Sequence, residues 1–169
     1  SNHRLLDFYG VAQAGLANWE ERTFYGVVQA GALNLSGSSF NGGLQLGVLN
    51  EVGQRTSLAL FHEGKTWDHR FGHDLSFQGV AEIGVGNMLD DSFYGLAQVA
   101  AGIDLVEVDF HGVAQVSGVL GWVRNDFTGV AQAALVNRVD GRFVGMAQIG
   151  AVNVVGRSGA GAQVGLVNA

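Results

Sequence analysis

The chain has 169 residues, with 27 glycines, no proline, no cysteine, 47% hydrophobic and 14% charged residues, and a net charge of −6. This apolar content and modest charge exclude a disordered chain, and the lack of cysteine excludes disulfides and thiolate metal sites. The acidic balance argues against a nucleic-acid surface, which needs clustered lysine and arginine.

A unit of about 16 residues, Phe-x-Gly-Val-Ala-Gln-x-Gly-x-x-Asn, recurs along nearly the whole chain and indicates one repeat domain over residues 1–169. The predicted units start near residues 8, 24, 40, 56, 77, 93, 110, 127, 143 and 158. Phenylalanine opens eight of them, and Ser158 takes its place in the last. The unit near residue 56 is degenerate, and residues of about 62–76 are predicted to form an inserted loop.

Two polar positions recur in register within these units. The glutamine position is filled by Gln13, Gln29, Gln45, Gln98, Gln115, Gln132, Gln148 and Gln163, with Glu82 replacing the amide once. The asparagine position is filled by Asn18, Asn34, Asn50, Asn87, Asn137, Asn153 and Asn168. The units that begin at Phe93 and Phe110 lose the second glycine and the asparagine.

Each unit is predicted to be β, because two glycines and several β-branched residues disfavour a helix, at roughly 1 kcal/mol for each interior glycine. The spacers read as turns and hold most of the charge. A straight eleven-residue strand would span about 35 Å, too far for a five-residue spacer to return. A parallel coil must therefore bend, and we expect the bend at the second glycine, giving two short arms in each coil.

The favoured fold is an all-β parallel solenoid of about ten 16-residue coils with one inserted loop. In such a stack, identical residues form ladders at about 4.8 Å, and side-chain amides hydrogen-bond along the axis. The alternative is an antiparallel meander that closes into an outer-membrane β-barrel, which the scarcity of charge within strands would also suit. Head-to-tail stacking explains better why every unit has the same sequence in the same direction.

The motif Gln-x-Gly-x-x-Asn, as at residues 13–18 and 148–153, is similar to the repeat core of curli-type fibre subunits. Residues 44–50 and 162–168 resemble more closely the bacterial surface-repeat proteins with Gly-Val-Gln-x-Gly-Leu-x-Asn units. This resemblance implies a bacterial envelope or extracellular setting and brings no catalytic residues with it. The period is shorter than the curli unit, and the intervening residues are apolar here.

Three sets of side chains could carry chemistry. The inserted loop holds His62, Asp68, His69 and His73, which are zinc-type ligands without a recognised spacing, so a solvated polar loop is the alternative. Acidic spacers, such as Asp104 with Glu107 and Asp109, could bind calcium, although turn-forming aspartate explains them too. Glu82 could accept hydrogen bonds from neighbouring amides, with a raised pKa, or be simple sequence drift.

We therefore expect a non-catalytic structural or interaction protein without a cofactor, located outside the cell or at the bacterial surface or outer membrane. Any targeting segment would lie outside this chain. Open coil ends, which present unpaired strands, predict end-to-end association into a homo-oligomer or filament. The apolar surplus predicts that a second copy, a neighbouring filament or a membrane surface covers part of the coil. An outer-membrane barrel, and an enzyme or metal site in the inserted loop, are the alternatives.

Overall fold

The computed structural model describes residues 7–20, 22–53 and 76–169, and these form an all-β parallel solenoid of nine stacked coils. Every strand pair within them is parallel and in register, which confirms the solenoid and makes the antiparallel alternative wrong. Within the same ranges there is no helix with the length and hydrophobicity that crossing a membrane requires.

Each regular coil has three short arms, which we name after the residue that each turns inward. The strands of the Phe arm are β1 (Phe8–Tyr9), β4 (Phe24–Tyr25), β7 (Phe40–Asn41), β10 (Phe77–Gln78), β12 (Phe93–Tyr94), β14 (Phe110–His111) and β17 (Phe127–Thr128). The strands of the Gln arm are β2 (Ala12–Ala14), β5 (Val28–Ala30), β8 (Leu44–Leu46), β15 (Ala114–Ser117) and β18 (Ala131–Ala133). The strands of the Asn arm are β3 (Ala17–Glu20), β6 (Leu33–Ser36), β9 (Leu49–Val52), β16 (Leu120–Val123), β19 (Val136–Val139), β21 (Val152–Val155) and β23 (Val167–Asn168).

Four longer strands run through a corner and so belong to two arms. They are β11 (Ala81–Leu89), β13 (Ala97–Val106), β20 (Arg142–Ile149) and β22 (Ser158–Val164). The predicted bend at the second glycine is present, for example at residues 15–16. A second bend follows the first glycine, at residues 10–11, so the coil has three arms and the prediction of two arms was wrong.

The first glycine forms a corner because the phenylalanine ring lies beneath it. A Cβ atom at Gly26 would lie 2.6 Å from Cζ of Phe24 and 2.7 Å from the carbonyl oxygen of Gly10. Both distances are well inside van der Waals contact, so only glycine lets the backbone approach the ring and the preceding coil this closely. The pairing of phenylalanine with glycine two residues later follows from this contact.

The fourth coil stacks directly on the third. Phe77 pairs with Phe40, and Asn87 pairs with Asn50. No coil lies between these two described coils, so the described stack has nine coils rather than ten. The unit predicted near residue 56 and nearly all of the predicted insertion fall within residues 54–75, outside the described residues.

The last coil departs from its predicted register by one residue. Gly159, not Ser158, pairs with Phe143, while Ser158 pairs with Arg142. The first corner is one residue shorter there, and Gly161 makes it with a φ of +143°. A Cβ atom at Gly161 would collide with the carbonyl oxygen of Gly145, so this position requires glycine.

The interior has an apolar half and a polar half. Phenylalanine rings of successive coils stack face to face, with centroids 4.8–5.0 Å apart from Phe8 to Phe143. Aliphatic side chains from the end of the Asn arm pack against them, among them Val52, Leu89 and Val106. The glutamine and asparagine side chains fill the other half and are fully buried in the central coils.

Candidate functional site

The glutamine side chains form a hydrogen-bonded ladder, as predicted, which is interrupted only between Gln45 and Glu82 among the described coils. Each Nε2 donates to the Oε1 of the preceding coil, for example Gln45 to Gln29 at 2.8 Å, Gln132 to Gln115 at 2.7 Å and Gln148 to Gln132 at 2.8 Å. Apart from Gln45, whose Oε1 has no partner, every internal amide is thereby both donor and acceptor, which satisfies polar groups that would otherwise cost free energy when buried. The ladder therefore has a direction, with protons pointing toward the N-terminal coil.

The asparagine ladder runs in the opposite direction. Nδ2 of Asn34 donates to Oδ1 of Asn50 at 2.8 Å, and Nδ2 of Asn50 donates to Oδ1 of Asn87 at 2.8 Å. The second proton of each amide goes to a backbone carbonyl one coil on, as from Asn34 to Leu46 at 2.7 Å. The sequence predicted the ladder but contains no signal for its polarity.

Asp104 ends the first run of this ladder. Its Oδ1 accepts from Nδ2 of Asn87 at 2.7 Å, and its Oδ2 accepts from the hydroxyl of Ser117 at 2.6 Å. Burial raises the pKa of Asp104 from 3.8 to about 7, against the lowering effect of the hydrogen bonds from Ser117 and Asn87. The placement of Asp104 in an acidic turn was therefore wrong, because it stands inside the coil at the asparagine position.

Gly121 occupies the asparagine position of the next coil, paired with Asp104 and Asn137. Since glycine has no side chain, the ladder is interrupted there and resumes from Asn137 to Asn153 at 2.8 Å. Oδ1 of Asn137 is consequently buried without a hydrogen-bond partner. The units that begin at Phe93 and Phe110 are 17 residues long instead of 16. This spacing could have located Asp104, because one extra corner residue moves the ladder position by one.

Glu82 stands in the glutamine ladder between Gln45 and Gln98. Its Oε2 accepts from Nε2 of Gln98 at 3.0 Å, as expected from the sequence. Burial raises its pKa well above the ordinary value, the hydrogen bond from Gln98 lowers it, and the nearby Asp104 carboxyl raises it further. The predicted direction of this pKa shift is thus confirmed.

Glu20 is another acid in the interior of the coils, and it was not predicted from the sequence. It lies two residues after Asn18, and alternation along β3 turns both side chains inward. Its Oε2 accepts from Nε2 of Gln29 at 2.7 Å and from the Ser36 hydroxyl at 3.2 Å. Burial raises its pKa, and hydrogen bonds from Gln13, Gln29 and Ser36 act in the lowering direction.

The turn acids connect successive coils. Oδ1 of Asp7 accepts from the backbone N–H of Thr23 at 3.1 Å, and Oδ1 of Asp109 accepts in the same way from Asp126 at 3.0 Å. Asp126 in turn accepts from the backbone N–H of Arg142 at 2.8 Å, and the Arg142 guanidinium lowers the pKa of this exposed carboxyl. These contacts give the aspartates a structural role at the charged edge of the stack.

The outer side of the Gln arm, with its two flanking corners, forms an apolar surface that we call the Gln-arm face. Its first-corner row is Val11, Val27, Val80, Leu96, Val113, Val130 and Met146, all exposed. Its second-corner row is Leu16, Val48, Val85, Val119, Leu135 and Leu166, all exposed. Between the rows lie exposed Ile83, Val116, Ile149 and Val164 alongside alanines. Glu82, the one ionisable side chain of these described segments, points inward, so the face has no charge.

The metal-site candidate His62, Asp68, His69 and His73 lies outside the described residues. Within the described ranges, no group of three or more histidine, cysteine, aspartate or glutamate side chains could hold a metal ion. Comparison with protein-family models, with curated proteins and with solved structures gave no match to this chain.

Proposed function

We propose that this chain is a non-catalytic structural or interaction module of the bacterial cell surface or extracellular matrix, and that it binds further copies of itself through the Gln-arm face. The single observation that carries the proposal is the continuous, uncharged surface over all nine described coils. The resemblance to bacterial surface-repeat sequences supports the location.

The size of the face favours a second copy as its occupant. The eight spacings of about 4.8 Å between nine coils and an arm of about five residues at about 3.3 Å give roughly 650 Å² on each partner. Two such faces would bury about 1,300 Å², which falls within the range of specific protein–protein interfaces. Exposed apolar patches of this extent on a soluble protein generally mark an interaction site.

The shape of the face favours side-by-side packing. Beside the first-corner row of larger side chains runs a lower strip of mostly small residues, for example Ala97, Ala114 and Ala131 in successive coils. A corner row of one copy can lie in the strip of the other, as side chains of packed sheets interdigitate at a separation of about 10 Å. The charged turns stay at the opposite edge of each copy, in water.

A charge placed on the face tests this proposal. Val130→Lys puts an ammonium group into the interface and is expected to shift the sedimentation coefficient of the assembled species to that of a single chain. Thr128→Lys is the matched control, because Thr128 is exposed two residues away on the Phe arm of the same coil. We expect this control to assemble like the wild type.

Three results would count against the proposal. A wild-type chain that sediments as a single species up to millimolar concentration would exclude self-association. Equal assembly of Val130→Lys and the wild type would indicate contact through another surface, such as the ends of the stack. Binding of the wild type, but not Val130→Lys, to lipid vesicles without any chain–chain assembly would assign the face to a membrane instead.

A further inference from the structure

The Gln45–Glu82 joint breaks the donor rule of the glutamine ladder. In each neighbouring pair the amide of the later coil donates to a side-chain oxygen of the earlier one, as Gln98 does to Oε2 of Glu82 and Gln115 does to Oε1 of Gln98. Glu82 follows Gln45 in the stack and has no amide proton to offer. A donor is required at this position.

Two buried oxygen atoms are left without partners at this joint. They are Oε1 of Gln45 and Oε1 of Glu82, and both side chains are completely buried. Because Nε2 of Gln45 is used by Gln29, its Oε1 is the atom available to the next coil. Because Oε2 of Glu82 is used by Gln98, its Oε1 is the atom available to Gln45. Two facing acceptors repel, and each of them is left as an unsatisfied buried polar group.

Turning the amides of the first three coils over would also supply a donor to Glu82, but Glu20 opposes this. Nε2 of Gln29 donates to the Glu20 carboxyl at 2.7 Å as well as to Gln13 at 3.1 Å. A reversed Gln29 would place its Oε1 against the oxygens of Glu20. The ladder direction at Gln29, and hence at Gln45, is therefore fixed from the N-terminal side.

The charged groups around Glu82 also oppose an ionised carboxylate. Asp104, on β13, is an acid that raises the pKa of Glu82, and β8 contributes the neutral Gln45. On β9 the inward residues are Asn50 and Val52, and Glu51, which is also buried, lies between them on the opposite side of the strand. None of these groups compensates a negative charge on Glu82.

We propose that Glu82 is a protonated carboxylic acid that donates a hydrogen bond to Oε1 of Gln45, and that its ionisation weakens the joint between the third and fourth coils. The proton makes Glu82 equivalent to a glutamine: donor toward Gln45 and acceptor from Gln98. Loss of the proton places acceptor against acceptor at one joint only. The solenoid thus has a specific joint that loosens as the pH rises, independently of assembly through the Gln-arm face.

Infrared spectroscopy tests the proton directly. At pH 7 the wild type should show a carbonyl stretch of a protonated carboxyl group that is absent in Glu82→Gln. Because Asp104 also titrates near this pH, the same comparison is made in the Asp104→Asn background, where the band should persist and again depend on Glu82. No band removed by Glu82→Gln in either background would overturn the proposal and indicate an ionised Glu82.

Hydrogen exchange tests the joint. The N–H groups of Val80 and Ala81 both donate to Gly43 across it, and those of Val113 and Ala114 donate to Leu96 at a matched all-glutamine joint. We expect protection factors at Val80 and Ala81 to fall at least tenfold between pH 5 and pH 8 relative to Val113 and Ala114, and this fall to vanish in Glu82→Gln. Gln115→Glu should produce the same fall in protection factor at Val113 and Ala114. Equal pH dependence at both joints in the wild type would overturn the proposal.

Discussion

At the scale of single residues, the unusual feature is a set of three acids inside the coils: Glu20, Glu82 and Asp104. Burial raises the pKa of each, because a low-dielectric surrounding disfavours the charged form. The folded chain therefore holds protons that the unfolded chain releases. Stability is greatest below the ordinary pKa of these groups, and it declines as the pH rises through their folded-state values.

Asp104→Asn tests this argument at one site. Between pH 3.8 and about 7 the folded wild type keeps the Asp104 proton and the unfolded chain does not, so the free energy of unfolding falls across this window. The asparagine side chain of the Asp104→Asn variant does not titrate in this window, and its Oδ1 can still accept the hydrogen bond from Asn87. We expect the variant to gain on the order of 4 kcal/mol at most, relative to the wild type, between pH 4 and pH 8.

Urea denaturation at a series of pH values provides the measurement for Asp104→Asn. The difference in the free energy of unfolding between variant and wild type should grow with pH and level off above about pH 7. A difference that is constant from pH 4 to pH 8 would mean that Asp104 has the same pKa in the folded and unfolded chains.

At the scale of the structural element, the unit of stability is the ladder rather than the strand. Arms of two to four residues are too short to be stable alone, and each depends on its equivalents above and below. Phe93, for example, stacks on Phe77 and on Phe110 at 4.9 Å on both sides and is 0% exposed. Its neighbour Tyr94 points outward from the same two-residue strand and stacks on His111.

Phe93→Ala should accordingly destabilise the fold by about 3–5 kcal/mol, because it opens a cavity and removes both ring contacts. Tyr94→Ala is the matched control and should cost less than about 1 kcal/mol, since the ring is half exposed. Thermal and urea unfolding of the two variants give the comparison. Similar losses for the two substitutions would contradict the inward orientation of the phenylalanine arm.

The sequence predicted the elements that repeat, and it failed where a unit departs from the repeat. The glutamine and asparagine ladders follow directly from the period, because parallel stacking aligns equivalent residues. The three-armed shape was missed because the role of the first glycine depends on where the Phe24 ring lies, which no spacing reveals. Asp104 was assigned to a turn because one extra corner residue shifts its register. Glu20 was missed because the equivalent residue of the next coil is Ser36, and a serine does not mark the position as interior.

At the scale of the whole molecule, the solenoid separates its surfaces by chemistry. Ion pairs such as Arg124–Glu107, at 2.7 Å, lie along the turn edge, whereas the Gln-arm face has no charged side chain among the described residues. Exposed pairs of this kind contribute little to stability, so they serve chiefly to keep that edge in water. The interior ladders hold the stack, the turns keep it hydrated, and the remaining apolar face is available for a partner.

The central claim is that equivalent residues of successive coils lie one above the other at about 4.8 Å, with the fourth coil directly on the third. The chain has no cysteine, so spin labels can be attached to introduced cysteines in pairs. Outward positions of the Phe arm suit them: Tyr25 paired in turn with Tyr94, His111, Thr128 and Val144. These positions lie three, four, five and six coils from Tyr25.

Pulsed electron paramagnetic resonance then measures the four distances between labels. Parallel stacking in register predicts an increase of about 4.8 Å from each pair to the next, starting near 14 Å for Tyr25 with Tyr94. An additional coil between the third and fourth would lengthen every distance by the same step. Distances that do not increase with coil number would contradict the parallel stack itself.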